Sequence, residues 1–359
     1  MRIGIPTELK DNERRVGMIP DGVAQLVKHG HEVVIQSGAG EGSGYLDVDY
    51  VSRGATIGTQ KDVWDCDLVV KVKEPIESEY PFLREDLVLF CYLHLAAEPE
   101  LTRALVDAGT TAIAFETVTS ARGDLPLLTP MSEIAGRLSV QTGAQLLTAP
   151  AGGPGMLLGG IAGVAPVNVT VVGGGVAGAQ AVDVAVGLGA QVTVLDINTA
   201  TLRAFNQRYE GKVRTIASTP DNIAEELRRS HLVIGSVLVP GAKAPKVVTE
   251  EHLRSMPEGA VVVDIAIDQG GCTAASQPTS HSNPIFSFGP VTMYCVTNMP
   301  GAAPKTATIA LANETLPFVV QLANQGAEQA LQNNIHLKAG LNVAQHEVVH
   351  EAVKDALGL

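Results

Sequence analysis

An α/β fold built from two Rossmann-like domains is predicted by three features of this 359-residue sequence. Short β-branched runs alternate with amphipathic stretches in both halves, the pattern of parallel sheets covered by helices. A glycine-rich turn follows a buried strand and opens a helix near residue 173. Hydrophobic residues make up 45% and charged residues 18% of the chain, which supplies buried cores and excludes disordered and fibrous classes.

The first sheet is expected to use strands at 2–6, 32–36, 68–72, 87–93 and 111–115, with helices near 21–29 and 100–108. Gly30 and Gly109 stand where helix C-caps belong. A second sheet begins afresh with 167–172, 191–195, 232–234 and 260–263, each short and apolar enough to be covered on both faces. Residues 138–182 contain no Asp, Glu, Lys or Arg, yet Pro150, Pro154, Pro166 and many glycines break any continuous helix there. The stretch reads as loop, buried strand and turn, not as a membrane span. After Lys305 the pattern is helical over 306–325, where Pro317 predicts a kink or split, and a terminal helix is expected at 343–357. The domains predicted are 129–306, which binds a dinucleotide, inserted into a substrate domain of 1–128 plus 307–359.

A net charge of −13 offers no basic field to nucleic acid or anionic lipid, so neither is an expected partner. Four scattered cysteines, Cys66, Cys91, Cys272 and Cys295, form no CxxC pair, and the N-terminus lacks the apolar core of a signal peptide. The cytoplasm is the expected location.

The sequence Gly173-Gly174-Gly175-Val176-Ala177-Gly178 follows a strand and precedes a helix and a second strand ending at Asp196. Gly173 permits the tight turn, Gly175 lets backbone N–H groups approach a pyrophosphate, and Gly178 allows close helix–strand contact. Asp196 lies 18 residues beyond Gly178, placed to accept hydrogen bonds from a ribose and to repel a 2′-phosphate, so NAD is favoured over NADP. The competing reading is a structural glycine turn in a flavodoxin-like domain.

Ligands of open α/β sheets sit beyond the carboxyl ends of the strands. Arg15, Lys73, His94 and Asp268 each follow an expected strand and together suit one cleft. The two cations suit a carboxylate and an adjacent carbonyl, the imidazole a proton transfer, and the aspartate the positioning of water. At the C-terminus His346-Glu347-Val348-Val349-His350 is a literal HExxH, but no third zinc ligand follows at the usual placement. It reads as an amphipathic helix with Val349, Val353 and Ala356 turned inward and the histidines toward solvent; no metal is expected, and a zinc hydrolase is the remote alternative.

The sequence resembles the NAD-dependent L-alanine dehydrogenase family, related to the NAD-binding component of proton-translocating transhydrogenase. The resemblance rests on Gly4-Ile5-Pro6-Thr7-Glu8, Asn12-Glu13-Arg14-Arg15-Val16, Lys71-Val72-Lys73-Glu74-Pro75, Leu93-His94-Leu95, Pro130-Met131-Ser132-Glu133, Val239-Pro240-Gly241-Ala242, Asp264-Ile265-Ala266-Ile267-Asp268 and Asn298-Met299-Pro300-Gly301. It implies reversible oxidative deamination of L-alanine to pyruvate and ammonium, with Arg15 and Lys73 binding substrate and His94 and Asp268 as the acid/base pair. It also implies NAD contacts from Ser132, Val176, Ala177, Asp196, Arg203, Ser218, Val237, Leu238, Ile265, Ala266, Ile267, Asp268, Val296, Asn298 and Met299, and a homohexameric assembly. The alternative within the resemblance is the transhydrogenase component. Departures from the family pattern are Gly17, Ile19, the run Gly153-Pro154-Gly155, Thr201 and Gln277.

Overall fold

The computed structural model describes residues 1–237 and 243–359. It divides into two compact units, Met1–Met131 with Ala303–Leu359, and Ser132–Ala302. In chain order the strands are β1 (Arg2–Ile5), β2 (Glu32–Gln36), β3 (Thr56–Gly58), β4 (Leu68–Val70), β5 (Val88–Cys91), β6 (Thr111–Ala114), β7 (Asn168–Val172) and β8 (Gln191–Asp196). They continue as β9 (Arg214–Ala217), β10 (Leu232–Gly235), β11 (Val261–Asp264), β12 (Ile285–Phe288), β13 (Val291–Tyr294), β14 (Leu341–Ala344) and β15 (Glu347–Val348).

The first unit's sheet runs β15-β14-β6-β5-β4-β1-β2-β3. Strands β1 to β6 are parallel, while β14 adds antiparallel to β6 and β15 antiparallel to β14. The second unit's sheet runs β12-β13-β11-β10-β7-β8-β9, parallel except where β12 meets β13. Both have doubly wound order, the chain starting in the middle and reversing between two neighbours, β1 and β4 in one sheet and β7 and β10 in the other. Central strands such as Leu68–Val70 and Val261–Asp264 are wholly buried, as apolar β-branched runs covered on both faces must be. Helix Pro99–Ala108 ends at Gly109 with φ 69°, the left-handed C-cap that glycine adopts without a Cβ penalty.

Three expectations are corrected. The uncharged stretch begins inside an 18-residue helix, Thr129–Leu146, because Pro130 sits in its first turn, where the missing N–H costs nothing, and the next proline is Pro150. Helix Pro304–Gln325 is not split: Pro317 lies inside it, and both Pro317 and Asn313, whose carbonyl loses its partner, are exposed, so the lost bond leaves no buried acceptor. The terminal helix covers only Glu351–Leu357, preceded by the β14–β15 hairpin, and Ala356 is exposed, not part of a buried stripe.

Candidate active site

In the first unit the candidate residues gather at the reversal point. The loop after β1 carries Glu8 across to the end of β4, where its carboxylate accepts the N–H groups of Val72 (2.6 Å) and Lys73 (3.3 Å). Beneath it Lys71, fully buried, donates to both oxygens of Glu79 at 2.9 Å and lies 3.7 Å from Glu8. Burial would lower the Lys71 ammonium, but Glu8 and Glu79 raise it; burial pushes Glu8 above the usual carboxylate range despite Lys71. These groups fix the strand end from which Lys73 projects.

Arg15 is 2% exposed. Its Nε donates to Glu13 at 2.7 Å and its Nη2 to the other oxygen of the same carboxylate, while Nη1 faces Met131 Sδ at 3.1 Å. Burial opposes its charge, and Glu13 outweighs burial. Glu13 thus grips the Nε–Nη2 edge of the guanidinium through both carboxylate oxygens. Lys73 Nζ lies 3.6 Å from Glu74, whose other oxygen takes Lys10. Burial raises the Glu74 carboxyl, but Lys73, His94 and Lys10 together bring it down to about 2.

His94 leaves β5 in the left-handed region, φ 50° and ψ 35°. Its ring stacks on Tyr92, centroids 5.9 Å apart and planes within 5°, and the Tyr92 hydroxyl donates to the Leu127 carbonyl. Arg15, Lys73 and His94 therefore follow β1, β4 and β5, three adjacent strands.

In the second unit, the glycine turn bridges β7 and β10. Gly173 has φ 100°, and a Cβ there would meet the Ser236 carbonyl at 2.7 Å; the Ser236 hydroxyl in turn donates to the Gly173 carbonyl. A Cβ on Gly178 would come within 1.9 Å of the Gly173 oxygen, so helix Val176–Gly187 sits as close to the turn as glycine permits. Gly175, by contrast, is exposed, and a Cβ there meets nothing within 4 Å. That space lies at the N-terminus of a twelve-residue helix with no side-chain cap, which fits a pyrophosphate. Val176 is exposed and Ala177 half-buried beside it. Asp196 ends β8 and accepts the N–H groups of Gly174 and Asn198, each at 2.7 Å. Ser218 donates its N–H to the Asp196 carbonyl, Arg203 is exposed on helix Thr199–Tyr209, and Thr201 lies beside Gly174.

Asp264 at the end of β11 is fully buried and accepts from the backbone of Ala266 (3.0 Å), Cys272 (2.8 Å) and Thr273 (3.3 Å), folding back the turn Ile265–Gln269. Ala266 and Ile267 are buried in that turn and Ile265 is half-buried, whereas Asp268 is exposed and accepts the Asn298 N–H at 3.2 Å. This bond ties the turn to the segment of Val296, Asn298 and Met299, of which Val296 and Met299 are buried. Ser132 and Val237 are half-buried; Leu238, with Val239 to Ala242, lies outside the described residues.

The HExxH pair is not set on a helix. His346 occupies the hairpin turn with φ 63°, its Nδ1 bonded to the Val106 carbonyl, and His350 precedes the last helix, half-buried. Reading the chain alone misses the carboxylates Glu8, Glu13, Glu74 and Glu116. The pairing of Glu13 with Arg15 two residues on is a local signal that could have found one of them.

The family model described as the N-terminal domain of alanine dehydrogenase/PNT matches residues 4–135, and that of its C-terminal domain matches residues 139–351. The alanine dehydrogenase of Bacillus subtilis (strain 168) is 51% identical over 360 residues, covering 100% of this chain and 95% of the relative. A solved L-alanine dehydrogenase superposes with a TM-score of 0.97 at 49% identity, covering 100% of this chain and 99% of that one. A transhydrogenase structure from Sinorhizobium meliloti superposes with a TM-score of 0.84 at 27% identity, covering 98% and 100%. The chain belongs to the alanine dehydrogenase/PNT family.

Proposed function

We propose that this protein is an NAD-dependent L-alanine dehydrogenase, interconverting L-alanine with pyruvate and ammonium. As an oxidoreductase of this family it works with a nicotinamide dinucleotide on a small-molecule substrate. The choice of NAD is supported by the Asp196 carboxylate at the end of β8, which disfavours a 2′-phosphate. The observation that carries the substrate reading is the gathering of Arg15, Lys73 and His94 at the ends of three adjacent strands.

A bound nicotinamide would supply the acceptor for the hydride that leaves the substrate α-carbon. Arg15 and Lys73 hold the carboxylate, and their charges are kept in place by Glu13 and Glu74. Loss of hydride from the α-carbon leaves an iminium on the substrate. His94 exchanges the proton on the nitrogen or oxo group, and Asp268 assists addition of water and departure of ammonia. The Gly173–Gly178 turn would hold the pyrophosphate, and Ser132, Arg203, Ser218, Val237, Leu238 and the turns at 265–268 and 296–299 would supply further contacts. Four free, buried cysteines accord with a cytoplasmic setting, and the family resemblance supports a homohexamer.

The test is NAD reduction with a panel of amino acids. L-alanine should give the highest kcat/KM, and His94→Ala should lower kcat by about 100-fold or more with NADH binding intact. Alanine-independent turnover, or a His94→Ala variant as fast as the parent, overturns the reading. The transhydrogenase component predicts no alanine-dependent NADH at all, and the lower identity to that structure, 27% against 49%, disfavours it.

A further inference from the structure

We propose that Glu116 is the positioning residue of His94, holding the backbone corner that aims the imidazole. The inference rests on the reading of His94 as the proton-handling group. Strands β5 and β6 end level, Cys91 facing Ala114. The residues that follow therefore run side by side, and the turn Phe115–Thr117 presents the Glu116 carboxylate to the corner where β5 ends.

One oxygen of that carboxylate, Oε1, accepts the N–H of His94 at 2.6 Å and the N–H of Leu93 at 3.2 Å; Oε2 also lies 3.2 Å from the Leu93 nitrogen. His94 stands between them at φ 50°, a left-handed conformation that a residue with a Cβ holds only where its surroundings impose it. The two N–H groups point the same way because the chain turns there, and a single charged acceptor satisfies both. The Nδ1 atom of His94 is 3.8 Å from Oε1, beyond hydrogen-bond reach, so the grip is on the backbone and not on the ring. The ring face is held separately, by the parallel Tyr92. Backbone corner and ring stack together leave His94 little freedom in direction. A proton-transfer group depends on that direction, since a displacement of about 1 Å costs on the order of 100-fold in rate.

The experiment compares Glu116→Ala and Glu116→Gln in the full-length chain. Glutamine keeps a carbonyl oxygen where Oε1 stands and so retains an acceptor for both N–H groups; alanine does not. Glu116→Ala should lower kcat with L-alanine about 100-fold while KM for L-alanine and NADH affinity stay within about twofold. Glu116→Gln should recover to within about tenfold of the parent. The proposal is overturned by an alanine variant with near-parental kcat, by a glutamine variant as slow as the alanine one, or by a rate loss matched by lost NADH affinity and a lower melting temperature. A fully active His94→Ala variant instead defeats the assignment of His94, whatever the Glu116 variants do.

Discussion

Gly175 and Gly178 stand one helical turn apart, under opposite constraints. The Gly178 Cα hydrogen faces the Gly173 carbonyl, and an added methyl would lie 1.9 Å from it, against backbone that cannot yield. Gly178→Ala should cost about 3 kcal/mol in denaturant unfolding and weaken NADH binding with it. Gly175 has φ −66°, which alanine adopts freely, and open space where the methyl would go. Gly175→Ala should leave stability within about 1 kcal/mol yet weaken NADH binding roughly tenfold, about 1.4 kcal/mol, as read by fluorescence titration. Equal affinity in the Gly175 variant would place the pyrophosphate elsewhere. Glu74 makes a prediction of a different kind. Its carboxyl is pushed up by burial but held at about 2 by Lys73, His94 and Lys10, below its ordinary 4.5. A group depressed on folding stabilises the fold above its unfolded value and loses that contribution as pH falls toward the folded one. Wild type should therefore exceed Glu74→Gln by about 3 kcal/mol near pH 7. The gap should narrow steadily from pH 5 to pH 3 and close only as pH falls through about 2; an equal gap at pH 5 and pH 3 would trace the difference to packing.

Elements were legible in the sequence where burial leaves an unambiguous mark. Strands β1, β2, β4, β5, β7, β8, β10 and β11 are apolar runs covered on both faces, and each lies within two residues of its expected bounds. Strands β3, β9 and β12 went unread at sheet edges, where Thr56-Ile57-Gly58 has no distinctive pattern, and β13 went unread although it is interior and mostly buried, because Val291-Thr292-Met293-Tyr294 is short and mixed in character. The C-terminus misled because 343–357 fits helical spacing equally well; pairing of β14 with β6, more than two hundred residues earlier, decides for strand, and no local signal carries that. The proposed site residues divide in the same way. Arg15, Lys73 and His94 were visible as chemistry at strand ends, whereas their carboxylate partners were hidden among 38 acidic residues and become distinct only by proximity. Two departures from the family pattern acquire physical reasons. At Gly17 a Cβ would meet the Val70 carbonyl at 2.5 Å, so a side chain there needs the backbone to shift. Ile19 occupies the N-cap of helix Pro20–Lys28 without a side-chain hydrogen bond, leaving Pro20 and Asp21 to define that helix start.

The two sheets share the order of five parallel strands, β5-β4-β1-β2-β3 and β11-β10-β7-β8-β9, and present different groups at their reversal points. In the proposed reading the second unit meets its ligand with bare backbone, the glycine turn at the helix end, and the first with side chains, Arg15 and Lys73, beside Glu13, Glu8 and Glu74. The chain leaves the first unit after Met131 and returns at Ala303, so that unit's sheet is completed only by β14. This makes its last contacts strongly non-local and its assembly dependent on the chain's end. Val343, Val348 and Val353 are buried in one apolar cluster with Leu89, Leu101 and Leu105. Each such side chain contributes about 1.5–3 kcal/mol, so together they rival the 5–15 kcal/mol that holds a typical domain folded. A chain ending at Gly340 should therefore lose the cooperative melting of the first unit and all alanine-dependent turnover. The second unit contains every proposed nucleotide contact and a complete sheet, and it should still bind NADH. Calorimetry together with NADH fluorescence reads both at once. Unchanged melting would show that β6 needs no second neighbour beyond β5, and loss of NADH binding would show that the second unit does not stand without the first.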